Sequence, residues 1–125
     1  MISELSSLHG MADLSGVPIM QFDRRKVAFG KVKKGEKREH TFHFTNRGEG
    51  PLTIDIISAC DCTTVEYERG KTWQPGESGE IHVIFDSSSK DESETITIDI
   101  ILRQMAGKEQ YPIIESLQYT FELEN

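Results

Sequence analysis

Apolar and polar residues alternate along most of the chain after residue 20, and this period of two is the pattern of half-buried β-strands. In the segment 40–45, for example, Phe42 and Phe44 fall on one face and the polar residues His43 and Thr45 fall on the other. The same period recurs in segments 52–56, 81–85, 96–102 and 117–123. With further strands at 27–32 and 63–67, the pattern predicts seven strands.

Turn residues separate these segments. The strings RGEGP at 47–51 and QPGE at 74–77 combine glycine with proline, which favours tight turns. Seven short strands with turns about every ten residues predict an all-β, antiparallel β-sandwich of seven to eight strands. The inward positions predict a core of Phe29, Phe42, Phe44, Leu52, Ile54, Ile56, Ile81, Val83, Phe85, Ile96, Ile98, Ile100, Tyr119 and Phe121. Ile57, Ile84 and Ile101 have the opposite parity, which predicts a small apolar patch on the outside.

The first eighteen residues follow a different pattern. Apolar residues recur there about every third position, but Gly10, Gly16 and several serines argue against a stable helix. We predict a flexible arm over 1–18, whose alternative role is to dock on another chain, and a sandwich domain over 19–125. Residues 17–22 are a candidate extra edge strand. We find no signal peptide, no lipidation signal and no apolar run near the ~20 residues of a membrane span.

Charge excludes one class of partner and suggests another. The 125 residues carry a formal charge of −7, which argues against nucleic-acid binding. Residues 21–50 nevertheless hold nine basic and four acidic residues. This basic cluster is either a solvated edge strand, where lysines discourage edge-to-edge pairing, or a docking surface for an acidic partner. The candidate partner-binding residues are Arg24, Arg25, Lys31, Lys33, Lys34 and Trp73.

Several strings occur in the order of a known family: VAFGKV at 27–32, HTFHFTNRG at 40–48, PLTI at 51–54, SACDCT at 58–63 and QPGESGEI at 74–81. Together they resemble a bacterial domain-of-unknown-function family with a Cys-Gly-Cys-Thr signature, which is similar to Ig-like ASH, major-sperm-protein and hydin domains. The resemblance implies an Ig-like fold and an exported protein, periplasmic or associated with the outer membrane. Here Asp61 stands where that family usually has glycine.

Cys60 and Cys62 are the residues with the most distinctive chemistry. In an extended chain their Cα atoms would lie nearly 7 Å apart, at the outer limit for a disulfide, so a bridge requires a local turn. Three interpretations remain open: buried inert thiols, a labile disulfide, or a metal site completed by His43 and His82. The pair lacks the Cys-x-x-Cys spacing of redox enzymes.

No nucleophile elbow, phosphate-binding loop or dinucleotide fingerprint occurs in the sequence. The preferred prediction is therefore a non-catalytic protein-interaction or scaffold module of the bacterial cell envelope, with no cofactor. Its partner is another protein or a second copy, held through strand edges or the N-terminal arm. The alternatives are a thiol or metal site at the two cysteines, and a carbohydrate-binding module that uses Trp73 with Tyr67 and Tyr111.

Overall fold

The computed structural model describes residues 16–106 and 110–124, and these residues form an all-β sandwich, as the sequence predicts. Of the predicted N-terminal arm, 1–18, residues 1–15 lie outside the described residues. Besides a 3-10 turn at Ser87–Ser89, the described residues form nine strands: β1 (Met20–Phe22), β2 (Lys26–Lys33), β3 (Lys37–Asn46), β4 (Leu52–Ser58), β5 (Thr63–Glu66), β6 (Thr72–Trp73), β7 (Ser78–Asp86), β8 (Glu94–Ala106) and β9 (Tyr111–Glu124).

The strands form two sheets, one of five strands in the order β2-β9-β8-β4-β6 and one of four in the order β1-β3-β7-β5. Every pairing is antiparallel except that of β2 with β9, which is parallel. β1 and β2 are adjacent in sequence but belong to different sheets. The first two strands of the domain therefore pair separately, β1 in the four-stranded sheet and β2 in the five-stranded sheet.

The core lies between the sheets, where alternate residues of each strand interdigitate. Of the predicted core, Phe29 is half-buried and packs against the cluster, and twelve of the other residues are buried: Phe42, Phe44, Leu52, Ile54, Ile81, Val83, Phe85, Ile96, Ile98, Ile100, Tyr119 and Phe121. Ile56 is the exception, because its side chain is 54% exposed.

A β-bulge explains the error at Ile56. Ile54 pairs with Leu102, but Ile56 pairs with Ile101, so β4 has one residue more than β8 over this step. An extra residue reverses the inward and outward parity of the strand beyond it. Ile57 consequently packs against the core. The predicted outer patch is wrong in composition: Ile56 joins Ile101 outside, and Ile114 lies opposite Ile101 on β9.

Asn46, at the end of β3, joins three segments at one end of the sandwich. Its side chain is fully buried. The amide nitrogen donates to the carbonyl oxygens of Gly50 (2.9 Å) and Trp73 (3.0 Å). The amide oxygen accepts from the backbone nitrogens of Ile19 (3.3 Å) and Gly48 (3.0 Å). These four bonds use the full hydrogen-bonding capacity of the amide and fix the chain entering β1, the turn after β3, and β6.

Candidate functional site

The Cys60–Cys62 pair lies in the short connection between β4 and β5, where the chain passes from one sheet to the other. A hydrogen bond from the Thr63 nitrogen to the Cys60 carbonyl oxygen (2.9 Å) closes a turn there. This turn brings the two Cα atoms to 5.2 Å, and the two sulfurs are joined in a disulfide. In this state neither sulfur is available as a thiolate ligand for a metal.

The disulfide has a buried side and an accessible side. Cys62 is 7% exposed and belongs to the core, and its Sγ lies 3.5 Å from the hydroxyl oxygens of both Thr63 and Tyr119. Cys60 is half-buried and lines a surface cavity of about 380 Å³, together with Tyr67 and Arg69. A disulfide that closes so small a ring stabilises a fold by about 1.6 kcal/mol through chain entropy, against about 3 kcal/mol for a fifteen-residue loop.

Tyr119, on β9 of the five-stranded sheet, contacts this turn through its hydroxyl. Its hydroxyl is 2.7 Å from the Thr63 hydroxyl, and its ring packs against Phe85 and Phe29 in the core. Burial raises the pKa of Tyr119 to about 12, even though the hydrogen bond with Thr63 works in the other direction. The phenol therefore stays protonated beside the Cys62 sulfur at physiological pH.

The predicted metal ligands His43 and His82 lie on the outer face of the four-stranded sheet, and each is paired there. His43 Nδ1 is 3.4 Å from Glu80, whereas His82 bonds through Nε2 to Glu39 (2.7 Å) and through Nδ1 to the Thr41 hydroxyl (2.8 Å). Over residues 16–106 and 110–124, no three His, Cys, Asp or Glu side chains converge as a metal site would require.

These histidines form part of a larger surface, an open groove of about 890 Å³ that we call the outer groove. It runs across all four strands of the smaller sheet and is lined by Gln21, Phe22, Asp23, His43, Phe44, Thr45, Arg47, Glu66, Tyr67, Glu68, Ser78, Gly79, Glu80 and His82. Four of the lining residues are acidic, and one, Arg47, is a permanent cation. Sequence reasoning missed this groove because its carboxylates come from three separate segments of the chain.

Asp23 is the most constrained carboxylate of the outer groove. Its Oδ1 accepts hydrogen bonds from the backbone nitrogens of Arg24 (2.9 Å) and His43 (3.2 Å). Burial acts to raise the pKa of Asp23, but these two bonds and the nearby imidazoles of His43 and His40 together outweigh it, and the pKa is lowered. Asp23 therefore keeps its negative charge to lower pH than an unconstrained aspartate.

Two residues of the predicted basic surface, Arg25 and Lys34, are paired within the chain. Arg25 bonds to Glu115 (2.9 Å) and to the Met20 carbonyl oxygen (3.0 Å), which joins the two sheets where the chain crosses between them. Lys34 pairs with Asp91 at 2.9 Å.

The lysines of β2 lie on the edge of the five-stranded sheet, opposite acidic residues of β9. Lys31 pairs in register with Glu122, and Lys33 with Glu124. Cross-strand pairs of opposite charge stabilise a sheet and offset each other's field. The basic stretch of the sequence is therefore placed against the acidic one, and Arg24 is an exposed position at the corner between β1 and β2.

Trp73 was expected to contact a partner or a sugar, but its side chain is only 1% exposed. It packs edge-on against Phe44 with ring centroids 5.1 Å apart. It cannot present a ring face to a sugar or to a partner without leaving the core. Gly79 allows this packing, since a Cβ there would lie 2.7 Å from the Trp73 indole nitrogen. The carbohydrate hypothesis thereby loses its central aromatic residue.

The described residues include no helix with the length and apolarity needed to cross a membrane. A comparison with curated proteins found no match to the sequence.

Solved structures with this fold come from unrelated settings. A protein of unknown function from Porphyromonas gingivalis W83 matches with a TM-score of 0.65 and 20% identity, over 85% of this chain and 47% of that one. The VesB protease of Vibrio cholerae matches with a TM-score of 0.65 and 14% identity, over 94% of this chain and 34% of the protease. ASH/PapD-like domain 7 of human CEP192 matches with a TM-score of 0.57 and 10% identity, over 85% of both chains.

The chain thus spans about a third of the protease and about half of the Porphyromonas gingivalis protein. Identities of this size show a shared Ig-like fold and nothing about activity. The family comparison is more specific, because residues 20–114 match the family described as "Protein of unknown function (DUF1573)". That match covers most of the chain, and the protein therefore belongs to the DUF1573 family.

Proposed function

We propose that this protein is a non-catalytic interaction module of the bacterial cell envelope, and that it holds a basic, extended segment of a partner protein in the outer groove. The observation that carries the proposal is the groove itself, which crosses all four strands and has four carboxylates against one guanidinium. A surface of one sign attracts a partner of the other sign and sets its orientation.

The carboxylates are not equally available to a partner. Asp23 accepts two backbone hydrogen bonds, Glu80 lies beside His43, and Glu68 is 3.5 Å from Lys71. Glu66 lies at the end of β5 on an edge of the four-stranded sheet, and its side chain is exposed. A partner strand that adds to this edge would bring its lysines or arginines over the groove, which combines strand addition with charge recognition.

The envelope setting has two supports, the family resemblance and the disulfide. Disulfides persist in oxidising compartments such as the periplasm and are rare where thiols are kept reduced. Fractionation of the native host followed by immunoblotting tests this part. The protein is expected in the periplasmic or membrane fraction. Its recovery in the cytoplasm alone would refute the envelope assignment and would leave the proposed binding by the groove unaffected.

A peptide titration tests the groove. The probe is a fluorescein-labelled ten-residue peptide that alternates lysine with valine, and a glutamate-for-lysine peptide of the same length is the ligand control. We expect fluorescence anisotropy to show saturable binding of the basic peptide at low ionic strength. Raising the salt concentration should weaken that binding, because screening shortens the range of the groove's field.

Charge reversal locates the binding surface. The double variant Glu66→Lys/Glu80→Lys is expected to weaken basic-peptide binding at least tenfold. Its matched control, Asp55→Lys/Glu92→Lys, makes the same charge change at two exposed positions outside the groove. Equal losses in both variants would mean that net charge alone attracts the peptide, and no binding by the wild-type protein would overturn the groove as a docking surface.

A further inference from the structure

Beyond docking, the β4–β5 turn places a disulfide where only one of its sulfurs can be approached. Cys60 lines the surface cavity with Tyr67 and Arg69, whereas Cys62 belongs to the core cluster. This disulfide spans two positions of the sequence, so it stabilises the fold little through chain entropy. Accessible disulfides of this kind are the ones that take part in exchange reactions.

We propose that Cys60–Cys62 is a thiol–disulfide exchange site that accepts two electrons from the dithiol of a partner protein. A partner thiolate attacks Cys60 Sγ, the bond between the two cysteine sulfurs breaks, and Cys62 Sγ leaves with the electron pair and takes up one proton. The partner's second thiolate then attacks the partner sulfur of the mixed disulfide and releases Cys60 as a thiolate. The Cys60 thiolate takes up a second proton, so the two cysteines are reduced to two thiols, while the partner dithiol has lost its two protons and is oxidised to a disulfide.

The turn provides donors for both sulfurs in this reaction. The Cys62 backbone nitrogen donates to Cys60 Sγ at 3.1 Å, and the same donor would stabilise a Cys60 thiolate after the exchange. The leaving sulfur of Cys62 has the hydroxyls of Thr63 and Tyr119 at 3.5 Å. These hydroxyls lie 2.7 Å from each other, so a contact that does not involve sulfur holds them in place.

The two cysteines therefore have different roles. Cys60 is the sulfur that forms the mixed disulfide, because the cavity gives access to it. Cys62 is the leaving sulfur, because the core covers it and keeps external thiols away.

The first experiment uses the unmodified protein in its folded state. It is incubated with dithiothreitol at neutral pH without denaturant, then alkylated and weighed by mass spectrometry. We expect two alkylated cysteines while circular dichroism shows an intact fold, and we expect the pair to re-form with oxidised dithiothreitol. A disulfide that is reduced only in urea would overturn the proposal, as would two native thiols that do not pair with the oxidant.

The second experiment assigns the roles. Cys62→Ala leaves Cys60 free and Cys60→Ala leaves Cys62 free, and each variant is reacted with 5,5′-dithiobis(2-nitrobenzoic acid). The Cys62→Ala variant is expected to react at least tenfold faster. Equal rates or the reverse order would overturn the assignment. If either variant fails to fold, the reduced wild-type protein is treated with less than one equivalent of iodoacetamide and digested, and alkylation is expected at Cys60 before Cys62.

Discussion

Replacing Asn46 by alanine should be among the most damaging single substitutions in the domain. The asparagine amide makes four hydrogen bonds inside the protein, two as donor and two as acceptor. Alanine removes all four and leaves the carbonyl oxygens of Gly50 and Trp73 and the nitrogens of Ile19 and Gly48 without these partners. The side chain is fully buried, so water replaces these bonds only where the corner opens.

The expected cost follows from the number of bonds. A buried hydrogen bond contributes about 1 kcal/mol net, so four contribute about 4 kcal/mol. Entry of water recovers part of this, and we expect Asn46→Ala to lower the free energy of unfolding by about 3 kcal/mol. Domains of this size are stable by only about 5–15 kcal/mol. The melting temperature should therefore fall by roughly 10 °C.

Urea unfolding followed by the fluorescence of Trp73, the single tryptophan, measures this change. The control is Thr45→Ala, the neighbouring residue, whose hydroxyl makes one exposed bond to Ser78 and should cost below about 0.5 kcal/mol. A second variant, Asn46→Asp, keeps the acceptor but points a carboxylate at two carbonyl oxygens. It should be more damaging at pH 7 than at pH 4, because protonation removes the buried charge and restores one donor.

Equal midpoints for Asn46→Ala and Thr45→Ala, with an unchanged slope, would refute the reasoning. Such a result would mean that the corner where Ile19, Gly48 and Trp73 meet is held by packing, and that the four bonds contribute nothing net.

Three further predictions concern backbone contact and protonation. Gly50→Ala should destabilise the domain by about 2 kcal/mol, since a Cβ there overlaps the Gly16 carbonyl group, and an unchanged melting temperature would contradict that contact. Burial lowers the pKa of His40, and its Nε2 is buried without a partner in the described structure. The free energy of unfolding should therefore fall as the pH drops below about 6.5. Urea melts of His40→Gln should show a weaker dependence on pH. Because the Tyr119 pKa is raised to about 12, the folded state keeps a proton that the unfolded chain loses near pH 10, so stability should decline above pH 10. Absorbance at 295 nm checks this, with a Tyr119→Phe variant identifying the Tyr119 signal; ionisation of Tyr119 near pH 10 in the folded protein would contradict it.

Alternation in the sequence predicted the sandwich well because each inward stripe is a local property of one strand. Phe42 and Phe44 on β3, and Ile81 and Val83 on β7, point inward as their parity requires. The same rule failed at Ile56, because a bulge is set by pairing with β8 and leaves no mark in the local pattern. Parity is reliable only up to the first irregularity of a strand.

The candidate site was less predictable, because its chemistry depends on which strands lie side by side. The sequence marked Cys60 and Cys62 as candidate site residues. The turn that brings them together, and the Tyr119 hydroxyl that reaches them from β9, depend on the tertiary structure. The basic stretch pointed to a polarised surface, yet Lys31 lies in register with Glu122. The string Asn46-Arg47-Gly48 carried a signal for the buried corner, since an asparagine two residues before a glycine favours a side-chain bond to the backbone in a turn.

The parallel pairing of β2 with β9 has a mechanical consequence. The chain enters β2 at Lys26, which pairs with Gln118 at one end of the ladder. It leaves β9 at Glu124, which pairs with Lys33 at the opposite end. Tension that reaches the domain through these two points acts along the strands and loads the intervening backbone bonds together, in shear. The antiparallel β8–β9 hairpin, pulled at its open end, would separate one bond at a time. The sandwich is therefore built to resist stretching along the axis of β2 and β9 more strongly than pulling across it.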